Sequence, residues 1–274
     1  MECEELFEGN EERLLCLNPD YVGWQLTSDD YAKVPALKGI IVASTAYDWI
    51  DGTLAEKNNV PICNIRNFSS QAVAEWAIAM MFNLARQTPR LIKDEFPLDF
   101  DKDFLKYGGI QLKGKSVGII GLGHIGSAIA EACEGLGMQV RYWSRSDKDS
   151  SYEYASLDEL LKTSDIIFPT MARNDSTQTM LTHDKLDLIQ SSAILVSIVH
   201  GLFDEAYVLE MVRNNTLFGF GFEAAPASFE NYEGNVWAAP SYAWVTYESM
   251  YNSVVEWTDA MVLASKNEYP TRIN

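Results

Sequence analysis

The chain has 274 residues, 47% hydrophobic and 22% charged, enough for one large domain or two modest ones with cores of their own. With 39 acidic residues against 21 basic ones the formal net charge is −18, which repels phosphate backbones and anionic lipid and argues against nucleic-acid or membrane-surface partners. Cys3, Cys16, Cys63 and Cys133 form no CxxC pair and the histidines add no zinc spacing, so free thiols in a cytoplasmic protein are expected and no metal centre.

The acidic start, with Glu2, Glu4, Glu5 and Glu8, is unlike the basic region of a signal peptide. Strand-like runs come first at residues 38–44 and 60–65. Residues 71–86 then read as a long helix, apolar on nearly every side and ended by Pro89, which predicts burial all round, as at a junction between two domains. Its most apolar stretch, residues 76–82, is far short of the ~20 residues of a membrane span. Residues 94–109, rich in Asp, Lys, Pro and Gly, read as a linker. Strands follow at 116–120, 139–143, 165–168, 193–199 and 217–222, with helices between most of them, a rhythm that predicts a parallel sheet covered on both faces. Ser156 and Glu159 form a capping box that starts one helix, residues 203–212 are amphipathic, and a last long helix spans about 246–266.

The strand at 116–120 runs directly into Gly121-Leu-Gly-His-Ile-Gly126 and then a helix and a second strand. A glycine fingerprint in that context is specific for a dinucleotide. Gly121 allows the tight turn, Gly123 lets the backbone approach a pyrophosphate, and Gly126 lets helix and strand pack closely. His124 and Ile125 contribute mainly through their backbone N–H groups. At the end of the second strand an NAD site carries an acidic residue for the ribose 2′-OH. Here the position reads Ser144-Arg145-Ser146, with hydroxyls to donate and a guanidinium to pair with a 2′-phosphate, so NADP is expected, with NAD as the alternative.

Residues 37–51, Val73-Ala-Glu75, residues 112–126, Gly137-Met138 and residues 193–204 with their Gly201 together resemble the D-isomer-specific 2-hydroxyacid dehydrogenases, over about residues 12–255. The resemblance implies an α/β fold of two doubly wound parallel-sheet domains with the site in the cleft. Residues 1–89 plus 244–274 would form a flavodoxin-like substrate domain, shortened at its N-terminus, and residues 90–243 the dinucleotide-binding domain. It further implies a cytoplasmic homodimer that passes hydride between NADP(H) and a small carbonyl or hydroxy compound. Three positions depart from the family pattern. His200 precedes Gly201 where the family has a substrate-binding arginine, Ser241 follows Pro240 where it has the acid/base histidine, and residues 224–228 hold no carboxylate to orient that histidine. Glu223 falls where the family places an Asp near the nicotinamide carboxamide. His200 is thus the candidate acid. The alternative is a catalytically silent NAD(P)-binding protein with a sensing or assembly role. His183 reads as a helix-start surface residue.

Overall fold

Runs of aliphatic and β-branched residues bounded by glycine or charge build two parallel sheets in a computed structural model that describes residues 11–47, 49–95, 105–148, 150–174, 176–178, 180–223 and 232–274. The chain divides into two compact units, Met1–Ser69 with Val245–Asn274, and Ser70–Trp244.

The first unit holds a three-stranded sheet in the order β1-β2-β3, made of β1 (Arg13–Leu17), β2 (Leu37–Val42) and β3 (Ile62–Cys63). Strand β1 is an addition to the sequence reading. Its five residues are all half-buried and show no alternation, and only parallel pairing with β2 defines them as a strand. The short helices α1 (Ser28–Tyr31) and α2 (Thr53–Lys57) pack with Ile40, Val42 and Ile62 on one face of this sheet. On the other face Ile41 and Cys63 meet Ala264 of the last helix, Tyr247–Ser265, and the Trp257 indole N–H donates to the Ile41 carbonyl at 3.2 Å.

The second unit is built on seven parallel strands in the order β10-β9-β8-β7-β4-β5-β6. They are β4 (Ser116–Ile120), β5 (Gln139–Trp143), β6 (Glu153–Tyr154), β7 (Ile166–Pro169), β8 (Ile194–Ser197), β9 (Gly219–Glu223) and β10 (Val236–Ala239). The chain runs outward from β4 to β6 and then returns to β7 on the other side of β4. This reversal is the switch point at which doubly wound sheets bind ligands, beyond the carboxyl ends of the strands. Successive side chains point to opposite faces, so Ile119 joins one apolar cluster with Ile129 and Phe168, and Ile120 another with Leu160, Ile167 and Phe220.

The unit's helices are α3 (Ser70–Ala85), α4 (Thr88–Lys93), α5 (His124–Gly135), α6 (Leu157–Thr163), α7 (His183–Leu186) and α8 (Glu205–Arg213). Ser156 caps α6 by accepting from the Glu159 N–H, and Asp204 caps α8 through the N–H groups of Ala206 and Tyr207. Helix α3 was expected on the substrate side and buried all round. It groups instead with the second unit, where Ala77, Met80, Met81 and Leu84 enter the cluster around Ile119. Asn235 Nδ2 donates to the Leu84 carbonyl at 2.9 Å and ties the end of α3 to the strand region. Gln71, Glu75, Ala79, Phe82 and Arg86 form an exposed stripe along its other side, and the apolar Ala79 and Phe82 hid that stripe from the sequence reading. Pro89 lies in the first turn of α4, after Gln87 has already broken α3 at φ 52°. No helix among the described residues is long and apolar enough to cross a membrane.

Candidate active site

The phosphate loop joins β4 to α5. Gly121 sits at φ +106°, and a Cβ there would lie 2.8 Å from the Met171 backbone nitrogen, so only glycine lets the loop after β7 close over this turn. At Gly126 a Cβ would meet the Gly121 carbonyl at 2.2 Å and Thr170 Oγ1 at 2.8 Å, which fixes how tightly α5 packs on the turn. Gly123, between them, has nothing within 4 Å of a built Cβ. It caps α5 without any side-chain bond, so the positive end of a 12-residue helix opens onto free space. His124 is exposed and Ile125 half-buried, and both belong to the first turn of α5, whose N–H groups have no intrahelical partner.

After β5, Ser144 is buried and its hydroxyl donates to the Ser146 carbonyl, so it closes the turn instead of pointing outward. Arg145 and Ser146 are exposed, and the Tyr154 hydroxyl donates to the Ser144 carbonyl at 3.3 Å.

His200 lies in the turn after β8, its side chain half-exposed. Its Nδ1 is 3.7 Å from Glu205 Oε1 and its Nε2 is 4.0 Å from Glu223 Oε2. These are ion-pair distances, too long for hydrogen bonds. The Glu205 carboxylate beside the ring raises the imidazole above its ordinary 6.5, Glu223 adds to this, and partial burial and Arg173 oppose it. Glu223 itself is buried at the end of β9, and burial pushes its carboxyl above the usual range. Its Oε1 accepts the Ala243 N–H at 2.9 Å, and the nearby Ser241 hydroxyl, like that N–H, works against the effect of burial. Ser241 thus borders the cluster as a neutral hydroxyl. Residues 224–228, where the resemblance leads one to expect an orienting carboxylate, lie outside the described residues.

Two residues of this cluster were not singled out in the sequence. Glu205 opens α8 and reads as part of that helix's solvated face. Arg173 lies in the irregular loop after β7, where no motif marks it. A search of the residues just beyond each strand's carboxyl end is the signal that finds both. His183 opens α7 as expected, but its ring also stacks on Tyr207, with centroids 3.9 Å apart, and its Nε2 is 3.0 Å from Asp204 Oδ2.

The sequence profile of the D-isomer specific 2-hydroxyacid dehydrogenase, NAD binding domain, matches residues 78–243. The chain belongs to the D-isomer-specific 2-hydroxyacid dehydrogenase family. It is 29% identical to the glycerate dehydrogenase of Methylorubrum extorquens over 239 residues, covering 82% of this chain and 75% of the relative. It is 28% identical to the glyoxylate reductase of Thermococcus kodakarensis over 274 residues, covering 91% and 80% respectively. Among solved structures, the D-lactate dehydrogenase of Aquifex aeolicus, complexed with NAD and lactic acid, superposes with a TM-score of 0.78 at 22% identity, covering 97% of this chain and 87% of that one. The family is one of oxidoreductases that use a nicotinamide cofactor, and residues 78–243 carry its NAD-binding domain.

Proposed function

We propose that this protein is an NADP(H)-dependent oxidoreductase that interconverts a small carbonyl compound and its alcohol, with His200 as the proton donor. The observation that carries the reading is the half-exposed His200 ring held between Glu205 and Glu223, on the same strand-end edge as the open α5 N-terminus. The free space at Gly123 and the uncapped helix fit a diphosphate, held by the backbone N–H groups of the 121–126 loop. Arg145 and Ser146 would take the adenosine ribose and its 2′-phosphate, with Ser144 shaping their turn, and Glu223 would lie near the carboxamide. The bound cofactor supplies the hydride. His200 donates a proton to the oxygen as the carbonyl carbon receives that hydride, and the ring is left neutral. Glu205 and Glu223 favour its charged form beforehand. NADPH consumption by the purified protein with a panel of aldehydes, ketones and 2-oxo acids tests the reading, and no consumption with any of them contradicts it.

One observation favours a second reading, a catalytically silent NAD(P)-binding protein. Ser241, in the position where the resemblance places an acid/base histidine, is a hydroxyl near Glu223 and cannot serve as an acid near neutral pH. Tight NADPH binding without turnover is its signature. A two-fold homodimer is also part of the proposal, supported by the family resemblance alone.

A further inference from the structure

We propose that Arg173 holds the carboxylate of an anionic substrate beside His200, supplying from the loop after β7 the cation that the turn after β8 has lost. The inference rests on the hydride-transfer reading and names its substrate class, small carbonyl compounds that carry a carboxylate. Arg173 is placed by its neighbours on both sides. The buried hydroxyl of Thr177 accepts the Asn174 N–H at 2.8 Å and donates to the Ala172 carbonyl at 2.8 Å, so one side chain brackets the arginine. Met171, two residues earlier, is packed against Gly121 of the phosphate loop. A clamped loop presents a side chain with less ordering cost than a free one.

The guanidinium reaches the site. A Cβ built on Gly201 would lie 3.1 Å from Arg173 Nε and 3.2 Å from Cζ, so the arginine lies against the backbone of the residue that follows His200. Gly201 sits at φ +68°, and its missing side chain is what leaves room for the guanidinium.

Charge points the same way. Some of the chain's arginines are taken up by carboxylates, as Arg141 is by Glu153 and Glu159. Arg173 is exposed and makes no salt bridge among the described residues, although two carboxylates face the adjacent imidazole. Without it, Glu205 and Glu223 would repel an anion approaching His200. With it, a planar fork of donors is available for bidentate binding of a carboxylate, next to a ring able to protonate the neighbouring oxygen.

The test is titration of oxalate, an unreactive dicarboxylate, into the NADPH-saturated protein by calorimetry. Arg173→Gln is expected to weaken oxalate binding about ten- to a hundredfold, the range of a charged hydrogen-bonded contact. Arg173→Lys should fall between, keeping the charge and losing the fork. Gly201→Ala, which crowds the guanidinium, should weaken oxalate several-fold. NADPH affinity should hold in the Arg173 variants. Oxalate binding that is undetectable in the wild type, or unchanged in Arg173→Gln, overturns the inference. So does a loss of NADPH affinity with oxalate binding intact, which would assign the guanidinium to the cofactor's phosphates. Arg173-dependent oxalate binding without turnover of any carbonyl compound sinks the hydride-transfer reading instead and leaves the anion site standing.

Discussion

His200 Nε2 stands 4.0 Å from Glu223 Oε2, and Glu223 in turn accepts the Ala243 N–H at 2.9 Å, so the end of β9 links the turn after β8 to the segment leaving β10. Those two connections carry His200 and Ser241, an imidazole on one and a hydroxyl on the other.

The first prediction concerns pH. The groups facing His200 are Glu205 from α8, Glu223 from β9 and Arg173 from the loop after β7, and the two carboxylates outweigh the arginine and partial burial. The acid form is therefore kept to higher pH than a free imidazole would allow. The rate of carbonyl reduction should be highest at low pH and fall as pH rises through a value above 6.5. The same shift stabilises the fold below the unfolded imidazole's value, and the contribution is lost as pH rises through the folded one. Glu205→Gln should move the inflection of the rate profile downward, and an unmoved profile would assign the titration to another group.

The glycines of the phosphate loop should separate stability from binding. Gly126→Ala drives a Cβ into the Gly121 carbonyl, and overpacking of that kind costs about 1–3 kcal/mol, seen as a lower Tm. Gly123→Ala meets nothing in the protein and should melt like the wild type, yet bind NADPH far more weakly because the Cβ fills the space left for the diphosphate. Equal NADPH affinity in Gly123→Ala and the wild type would place the diphosphate elsewhere.

Under the proposed NADP(H) reading, cofactor choice turns on Arg145 and Ser146, since the Ser144 hydroxyl is used within its own loop. NADPH should bind about ten- to a hundredfold more tightly than NADH, from charged hydrogen bonds to the 2′-phosphate. Arg145→Ala should remove most of that margin and leave NADH binding little changed. Equal dissociation constants for the two cofactors in the wild type would contradict the assignment.

Much of this fold could be read from residue patterns. The strands β4 and β5, the turn between β4 and α5 and the Ser156 cap each follow from local chemistry that needs no tertiary partner. Strand β1 could not be read, because its half-buried run becomes a strand only by pairing with β2. The side on which α3 packs was hidden because Ala79 and Phe82 are apolar yet exposed. In the site, the resemblance pointed to His200 and Glu223. Arg173 was out of reach, because its proximity to His200 depends on loops brought together by strand order, which spacing along the chain does not encode. Glu205 lies in the same connection as His200 and was hidden only by reading as part of the solvated face of α8.

Cys133 supplies a check on the core that is independent of catalysis. It is fully buried in α5, and burial pushes its thiol up to about 12. The folded state therefore keeps the thiol proton between about pH 9 and 12 while the unfolded state releases it, so stability should fall with rising pH by up to about 1.4 kcal/mol per unit in that window. Cys133→Ala should flatten this dependence, and an unchanged alkaline slope would show that other groups set it.

Ordinary turnover of glyoxylate, pyruvate or hydroxypyruvate is not expected. A displaced acid and a cation approaching from a different loop should hold these rates several orders of magnitude below the ~1–10³ per second of ordinary enzymes. Rates in that ordinary range would contradict the roles proposed for His200 and Arg173.

The measurement that bears most directly on the account is single-turnover oxidation of NADPH with the best carbonyl substrate of the panel, in the wild type and in His200→Ala. The account predicts oxidation by the wild type and a loss of roughly 10²–10⁴ in rate in the variant, the usual contribution of a general acid, with NADPH affinity unchanged. Equal rates in the two proteins, or no oxidation by the wild type with any compound tested, would contradict it.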